Sequence, residues 1–434
     1  MMLWLYRILF VPALVLIAPA YLWRMRRRGG YAGNFSHRFG AVPGLPARRA
    51  GVRRIWLQAV SVGEVLAIAP LLEALVKADG AEVYLTTTTS TGFRLATERY
   101  GTLVIGVGYF PLDGWFFSRR AWRTVAPDLA ILTEGERWPE HMRQAARRGV
   151  PVLCINARLS DRSFSRMRRF PAASRLMLDG ITRLLTGSNH DAERFRELGY
   201  PPARLTNTGN LKLDVEIPRL NPGELAALRR ELGLPDGLVL MGSSTWAGEE
   251  AALVAALRHV RAAGHGCSLL IVPRHAERRT EIERMLRETG LRHHFRSRGA
   301  AKTEVDVAVA DTTGEMRRLL QLADLVFVGK SLPPHSEGQT PVEAAVLEKP
   351  ILFGPGMGNF RLIARDLLER KAAVEVADAA ALAAEAGELL GDAGRRAQLA
   401  RAAGEWHREN SGALERTLTV IREEMRKLEA TGIR

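Results

Sequence analysis

The sequence predicts an α/β protein: two Rossmann-like domains facing a cleft, preceded by an N-terminal membrane-anchor helix. Three observations carry that prediction. The chain has 434 residues, too many for one ordinary core. Short apolar runs alternate with helical patterns, and the alternation restarts past the middle of the chain, as expected of parallel sheets covered on both faces. The first stretch of the chain is nearly free of charge, unlike everything after it.

That stretch, "MMLWLYRILFVPALVLIAPAYLWRMRRR", is broken only by Arg7 before the cluster Arg24, Arg26, Arg27 and Arg28. About 20 apolar residues suffice to span a bilayer. Trp4, Tyr6, Tyr21 and Trp23 stand near its ends, where an aromatic belt would be, and the arginines that follow keep that end and the remaining chain cytoplasmic. The alternative is a helix lying on the membrane surface. A cleavable signal fits less well, because the charge cluster follows the apolar core instead of preceding it.

In the first half, "RIWLQAV" leads to a helix from Glu64, and "AEVYLTTTT" to a Gly92 turn and the helix "FRLATERY". "LAILTEG" leads to "RWPEHMRQAARRG", and "VPVLCINARLS", "TRLLTGS" and "RLTNTGN" follow. The proline-rich "IPRLNPGELAALRRELGLPDG" reads as a linker and first helix. The alternation then resumes with "LVLMGSSTWAGEEAALVAALRHV", "CSLLIVPRH", "DVAVADTTGEMRRLLQLA", "DLVFVGKSL" and "KPILFGPGMGNF". The expected organisation is an anchor at 1–28, an N-terminal domain at 29–215, a C-terminal domain at 216–410, and a helix at 411–434 crossing back to the N-terminal domain.

Cys154 and Cys267 are the only cysteines, which excludes a disulfide scaffold and a multi-cysteine zinc site. The formal net charge of +15 favours an anionic partner. No basic stretch is interleaved with aromatics, so nucleic acid is not expected. No His/Asp/Glu grouping has metal-ligand spacing, the His293-His294 pair standing in a polar segment.

Ligands of parallel sheets gather beyond the carboxyl ends of the strands. There "MGSSTWAGEE" offers Ser243, Ser244 and Thr245 as a helix start, either a phosphate seat or a plain cap followed by Glu249 and Glu250. "VPRHAER" sets Arg274 and His275 after a strand, and an arginine suits a phosphate through forked hydrogen bonds. Gly329-Lys330-Ser331 is followed by Leu332-Pro333-Pro334 and does not open a helix, which excludes a P-loop. Thr340 and Glu343 have capping-box spacing around Pro341. Glu134 and Glu136 close a strand beside Trp138-Pro139. Five arginines between Arg158 and Arg169 form either a solvated face or a docking surface for an anionic head group, with Arg158, Arg162 and Ser163 as acceptor-binding residues. Ser61-x-x-Glu64 also has capping-box spacing, so on local pattern Glu64 reads first as a helix cap, with a proton acceptor as the alternative.

Taken in order, "YAGNFSHRFG", "WLQAVSVGE", "TTTTSTGF", "YFPLD", "TEGERWPE", "NARLSDRSF", "GNLKLD", "PRHAER" and "DTTGEM" resemble the Kdo (3-deoxy-D-manno-octulosonic acid) transferases of lipopolysaccharide synthesis. The resemblance covers nearly the whole chain. It implies a GT-B fold and metal-independent, inverting transfer of Kdo from CMP-Kdo to the phosphorylated lipid A precursor, lipid IVA. The reaction would take place at the cytoplasmic face of the bacterial inner membrane, without a cofactor. It further implies that Glu64 is the general base, with Glu134 and Lys212 stabilising the transition state or positioning the reactants. The N-terminal domain would take the acceptor. In the other domain Pro273, Arg274, Thr313, Gly314, Glu315, Met316, Lys330, Ser331, Thr340 and Glu343 would hold CMP. The sequence departs from the family at Gln58 (usually His), Gly135 (Thr), Lys330 (Gly), Gln339 (His) and Thr340 (Asn). Competing readings are a GT-B transferase using another nucleotide sugar and a non-catalytic, membrane-tethered protein of the same fold.

Overall fold

The protein is described by a computed structural model covering residues 2–27, 34–135 and 137–430. Glu136, Arg28 and the Tyr31-Ala32-Gly33 start of the first motif lie outside the described residues. Two compact units emerge: residues 1–214 with 412–434, and residues 215–411.

The first unit is built on seven parallel strands: β1 (Arg54–Gln58), β2 (Glu82–Thr87), β3 (Gly106–Tyr109), β4 (Leu129–Thr133), β5 (Val152–Ala157), β6 (Arg183–Thr186) and β7 (Leu205–Asn207). Their order in the sheet is β3-β2-β1-β4-β5-β6-β7. Alternate side chains feed opposite faces, as the two-residue strand period dictates. Ile55, Leu57, Val83, Leu85 and Ile131 enter one apolar cluster, while Trp56, Tyr84, Ala130 and Leu132 enter the other. Burial on both faces explains why these strands are continuously apolar rather than alternating. Helix Ala413–Ala430 closes the first face: its Leu418, Val420 and Ile421 belong to the same cluster as Ile55 and Leu57.

The second unit repeats the plan with β8 (Leu238–Thr245), β9 (Cys267–Pro273), β10 (His293–Phe295), β11 (Val307–Val309), β12 (Leu325–Val328), β13 (Ile351–Phe353) and β14 (Val374–Glu375). All pair in parallel, in the order β10-β11-β9-β8-β12-β13-β14. The strand order reverses between β1 and β4 in the first unit and, in the second, whose far edge β10-β11 is also out of sequence, between β8 and β12. Crevices that bind ligands in such sheets open there.

Three local expectations are corrected. Gly92 is not a turn: it lies inside helix Ser90–Tyr100, where its N–H donates to the capping hydroxyl of Thr89 at 3.1 Å. Ser243, Ser244 and Thr245 do not begin a helix. They end β8, and the helix starts only at Glu249 behind Gly248, whose φ of +92° suits glycine. The Thr340–Glu343 capping box is absent: helix Val342–Val346 has Pro341 as its N-cap, Thr340 Oγ1 accepts from Val342 N at 3.3 Å, and Glu343 pairs with Arg317 at 2.8 Å.

The N-terminal helix spans Met2–Arg27 and contains Pro12 and Pro19. It is long and apolar enough to cross a membrane.

Candidate active site

The reversal point of the first sheet gathers the acidic residues. The chain leaves β1 through Ala59 and Val60 and turns into helix Val62–Ala67, which carries Glu64; β4 ends at Thr133 and delivers Glu134. Because β1 and β4 pair directly, these two strand ends are neighbours although nearly seventy residues separate them.

Glu64 does not complete the expected capping box. Ser61 is the N-cap but its hydroxyl caps nothing; it donates to Glu64 Oε1 at 3.4 Å. The carboxylate turns back, accepting from Val60 N at 2.9 Å and from the hydroxyl of Thr133. Thr133 offers the carboxylate a strong donor on the far strand, which draws it off its own helix start. Glu64 is only 8% exposed. Burial pushes its carboxyl above the ordinary glutamate range, and the Glu134 charge adds to that. The hydrogen bonds from Thr133 and Val60 and the charge of Lys212 oppose it. A carboxylate whose basicity is raised by burial and whose oxygens are held by donors is suited to accept a proton.

Beside it stands an ion pair between Lys212 and Glu134. Asn156 Nδ2 donates to Glu134 Oε1 at 3.4 Å, and Arg158 stands 4.0 Å from that oxygen. Glu134 and Asn156 have φ values of +49° and +50°, both in the left-handed region. Such strain on non-glycine residues concentrates at functional sites. It is held here by Arg137 Nη1 donating to Glu134 O at 2.7 Å and by Leu211 N donating to Asn156 Oδ1 at 3.2 Å. Lys212 in turn sits in a one-turn helix capped by Asn210.

At the reversal point of the second sheet, β8 and β12 end in Ser243-Ser244-Thr245 and Gly329-Lys330-Ser331. Glu249 ties the two ends together: its buried carboxylate accepts from Trp246 N, Lys330 N, Ser331 N and Leu332 N at 2.8, 2.8, 2.9 and 3.1 Å. Gly329 packs so tightly that a Cβ there would come within 2.5 Å of Ser244 O. Lys330, at φ +59°, holds its ammonium 4.1 Å from the Trp246 ring centroid and 3.3 Å from Glu337. Met316 Sδ is 3.5 Å from Ser243 Oγ, which brings the Thr313–Met316 turn to the same strand ends.

The sequence-predicted residues divide accordingly. Glu64, Glu134, Lys212 and Arg158 come together. Arg162 is exposed on helix Asp161–Arg169, while Ser163 belongs to its first turn, donating its N–H to the capping Ser160 at 3.2 Å. Arg274, beyond Pro273 at the end of β9, is exposed with its N–H on Thr245 O at 3.1 Å. Glu315 is committed to Arg296 at 2.7 and 2.8 Å, which holds its carboxyl below the ordinary range. Ser331 is fully buried; its hydroxyl donates to Val328 O and accepts from Gly354 N at 2.8 Å, so that side chain faces the loop and not a ligand. Gln58 is also fully buried, bonded to Thr86 and Thr88 at 2.7 and 3.1 Å.

Thr133, Asn156, Trp246 and Glu249 were not picked out as site residues by sequence reasoning. A usable signal existed for Thr133 and Asn156, since each is a polar residue at or next to the end of an otherwise apolar strand. Among the described residues, no three His, Cys, Asp or Glu side chains are grouped to hold a metal ion.

The two-unit plan recurs in solved structures. A putative UDP-N-acetylglucosamine 2-epimerase from Listeria monocytogenes is 15% identical with a TM-score of 0.57, covering 87% of this chain and 98% of that one. A glycosyltransferase from Rickettsia africae is 12% identical with a TM-score of 0.56, covering 86% and 98%. At such identities only the fold is shared, and it is of the GT-B type. Sequence goes further. Residues 33–215 match the family model described as 3-deoxy-D-manno-octulosonic-acid transferase (kdotransferase). The 3-deoxy-D-manno-octulosonic acid transferase of Bordetella pertussis is 34% identical over 420 residues, 93% of this chain and 96% of that protein. Its counterpart in Haemophilus influenzae is 32% identical over 418 residues, covering 95% and 94%. The chain belongs to the Kdo transferase family and is a glycosyltransferase of lipopolysaccharide synthesis.

Proposed function

We propose that this chain transfers Kdo from CMP-Kdo to a phosphorylated lipid A precursor at the cytoplasmic face of the bacterial inner membrane, with Glu64 as the base. The observation that supports this best is the Glu64 carboxylate, buried yet held by Thr133 beside the Lys212–Glu134 pair at the reversal point of the first sheet. In this reading a hydroxyl of the acceptor attacks the anomeric carbon of Kdo. Glu64 takes the hydroxyl proton, the bond to the CMP phosphate breaks, and the configuration inverts. Lys212 and Glu134 fix the reacting groups. Arg274, Lys330 and the start of helix Val342–Val346 receive CMP, whose departing negative charge is stabilised by the two cations and by the first N–H groups of that helix. The arginines from Arg158 to Arg169 face the acceptor's phosphates. The N-terminal helix keeps the enzyme beside its lipid substrate.

The test is turnover of purified protein with CMP-Kdo and a tetra-acylated lipid A precursor, read by product mass. A product heavier by one or more Kdo units is expected. If CMP-Kdo is left intact while another nucleotide sugar is consumed, the donor assignment falls.

A further inference from the structure

We propose that the N-terminal helix does not cross the bilayer but lies in the plane of a single leaflet, fastened to the first unit at both ends and presenting its outer face to anionic lipid. This rests on the membrane-bound reading above and adds a topology to it. The helix touches the first unit by one continuous stripe. Leu3, Tyr6, Arg7, Phe10, Leu14, Ala18 and Tyr21 are half-buried, at the three- and four-residue steps of one helix face.

Near its start, the Tyr6 hydroxyl donates to Asp113 Oδ2 at 2.7 Å, and Arg7 forks onto Glu140 at 2.9 and 3.1 Å. The ring of Phe10 covers Gly114, where a Cβ would come within 3.2 Å of it. Toward its end, Tyr21 packs on Tyr109 of β3. The same Asp113 also accepts from Glu140 N and His141 N at 2.9 and 2.8 Å, so the anchor is tied to the group that caps helix Pro139–Arg147. From Tyr6 to Tyr21 the helix rises about 22 Å at 1.5 Å per residue, against a hydrocarbon core of about 30 Å. Were the helix to span, Tyr6 and Arg7 would be carried toward the far leaflet. Glu140, whose side chain is fully buried beneath the helix, would then lose its forked ion pair with Arg7.

The opposite face is apolar and open: Trp4, Ile8, Leu9, Val15, Leu16 and Trp23 are all more than half exposed. Interfacial helices usually carry a polar face toward water; here the first unit takes the place of that face. Exposed aromatics extend the patch onto the unit itself. Trp115 and Phe116 follow Gly114, and Phe170 precedes helix Pro171–Leu178, on which the anchor packs. Arg169 stands 5.7 Å from the Phe170 ring and Arg119 5.4 Å from that of Trp115. Apolar area rimmed by arginine suits a leaflet bearing anionic head groups.

Met2→Cys tests the topology, because the native Cys154 and Cys267 are both buried. With a membrane-impermeant maleimide, label is expected on inverted inner-membrane vesicles and not on intact spheroplasts. Labelling of spheroplasts overturns the in-plane helix while leaving membrane binding intact. Recovery of the protein in the soluble fraction overturns both readings. Spin labels on Leu9→Cys and Leu16→Cys in the reconstituted full-length protein should report equal, shallow depths; depths differing by about 10 Å, the rise of seven residues, would also refute the in-plane helix.

Discussion

Thr133 donates its hydroxyl hydrogen to the carboxylate of Glu64, joining the end of β4 to the first helix after β1. The contact depends on strand order: β1 and β4 are neighbours only because the chain reverses direction in the sheet between them. It separates the two roles open to Glu64 in the sequence. The side chain still accepts one backbone N–H, that of Val60, but is otherwise turned to the site.

Glu64→Gln isolates the proton-accepting role. Glutamine keeps an oxygen for Val60 N or Thr133 but cannot take a proton. Turnover should fall by about 10²–10⁴, the scale of general-base catalysis, with a melting temperature close to wild type. Turnover within a few-fold of wild type would leave Glu64 as a structural residue only.

Thr133→Val should change the pH dependence. Burial raises the Glu64 pKa and the Thr133 hydrogen bond lowers it. Without that bond the ionised base forms only at higher pH. The acid limb of the kcat/KM profile should therefore move to higher pH, and the rate lost at neutral pH should return on the alkaline side. A limb that stays in place would dissociate Thr133 from the titrating group.

Lys330→Gly should weaken CMP binding several-fold by titration calorimetry, since a lysine acts on phosphate as a point charge. Glycine also accepts the positive φ of this position without strain, so a loss of affinity would not be a folding defect. An unchanged Kd would mean that Trp246 and Glu337 keep the ammonium from the donor.

Glu249→Ala should unsettle the second unit. Four backbone N–H groups lose their shared acceptor, a loss of about 3 kcal/mol or more when the groups are buried. A fall of roughly 6 °C or more in melting temperature is the corresponding scale. A melting temperature within a degree of wild type would show that water or a shifted loop replaces the carboxylate.

Activity should survive EDTA, because the cationic side chains of Arg274 and Lys330 stand where the leaving phosphate is expected. Loss with EDTA and recovery with Mg²⁺ would overturn that account.

How far the sequence reveals this molecule varies with distance along the chain. The central strands β1, β4, β5, β8, β9 and β12 announce themselves because burial on both faces demands unbroken apolar runs. Edge strands β3, β10 and β14 do not: Gly-Val-Gly-Tyr, His-His-Phe and Val-Glu are short, and an edge tolerates glycine and polar side chains. Glu64 stood out through its local spacing. Its partner Thr133 did not, because that proximity arises from sheet topology. Glu249 looked like an ordinary helix-start charge for the same reason: the N–H groups it holds at Lys330–Leu332 lie more than eighty residues away.

The first unit both opens and closes the chain. Helix Ala413–Ala430 is its last piece; Asp214 receives the N–H groups of Gly412 and Leu414, and Arg422 reaches Asp79 at 3.0 Å. During synthesis the unit that carries Glu64 therefore waits, one face of its sheet unroofed, until the whole second unit has left the ribosome. A chain truncated between Asp214 and Gly412 lacks that helix, and Ile55 and Leu57 lose the cover that Leu418, Val420 and Ile421 give them. The helix that roofs this sheet thus makes the stability of the Glu64-bearing unit depend on residues translated after the whole second unit.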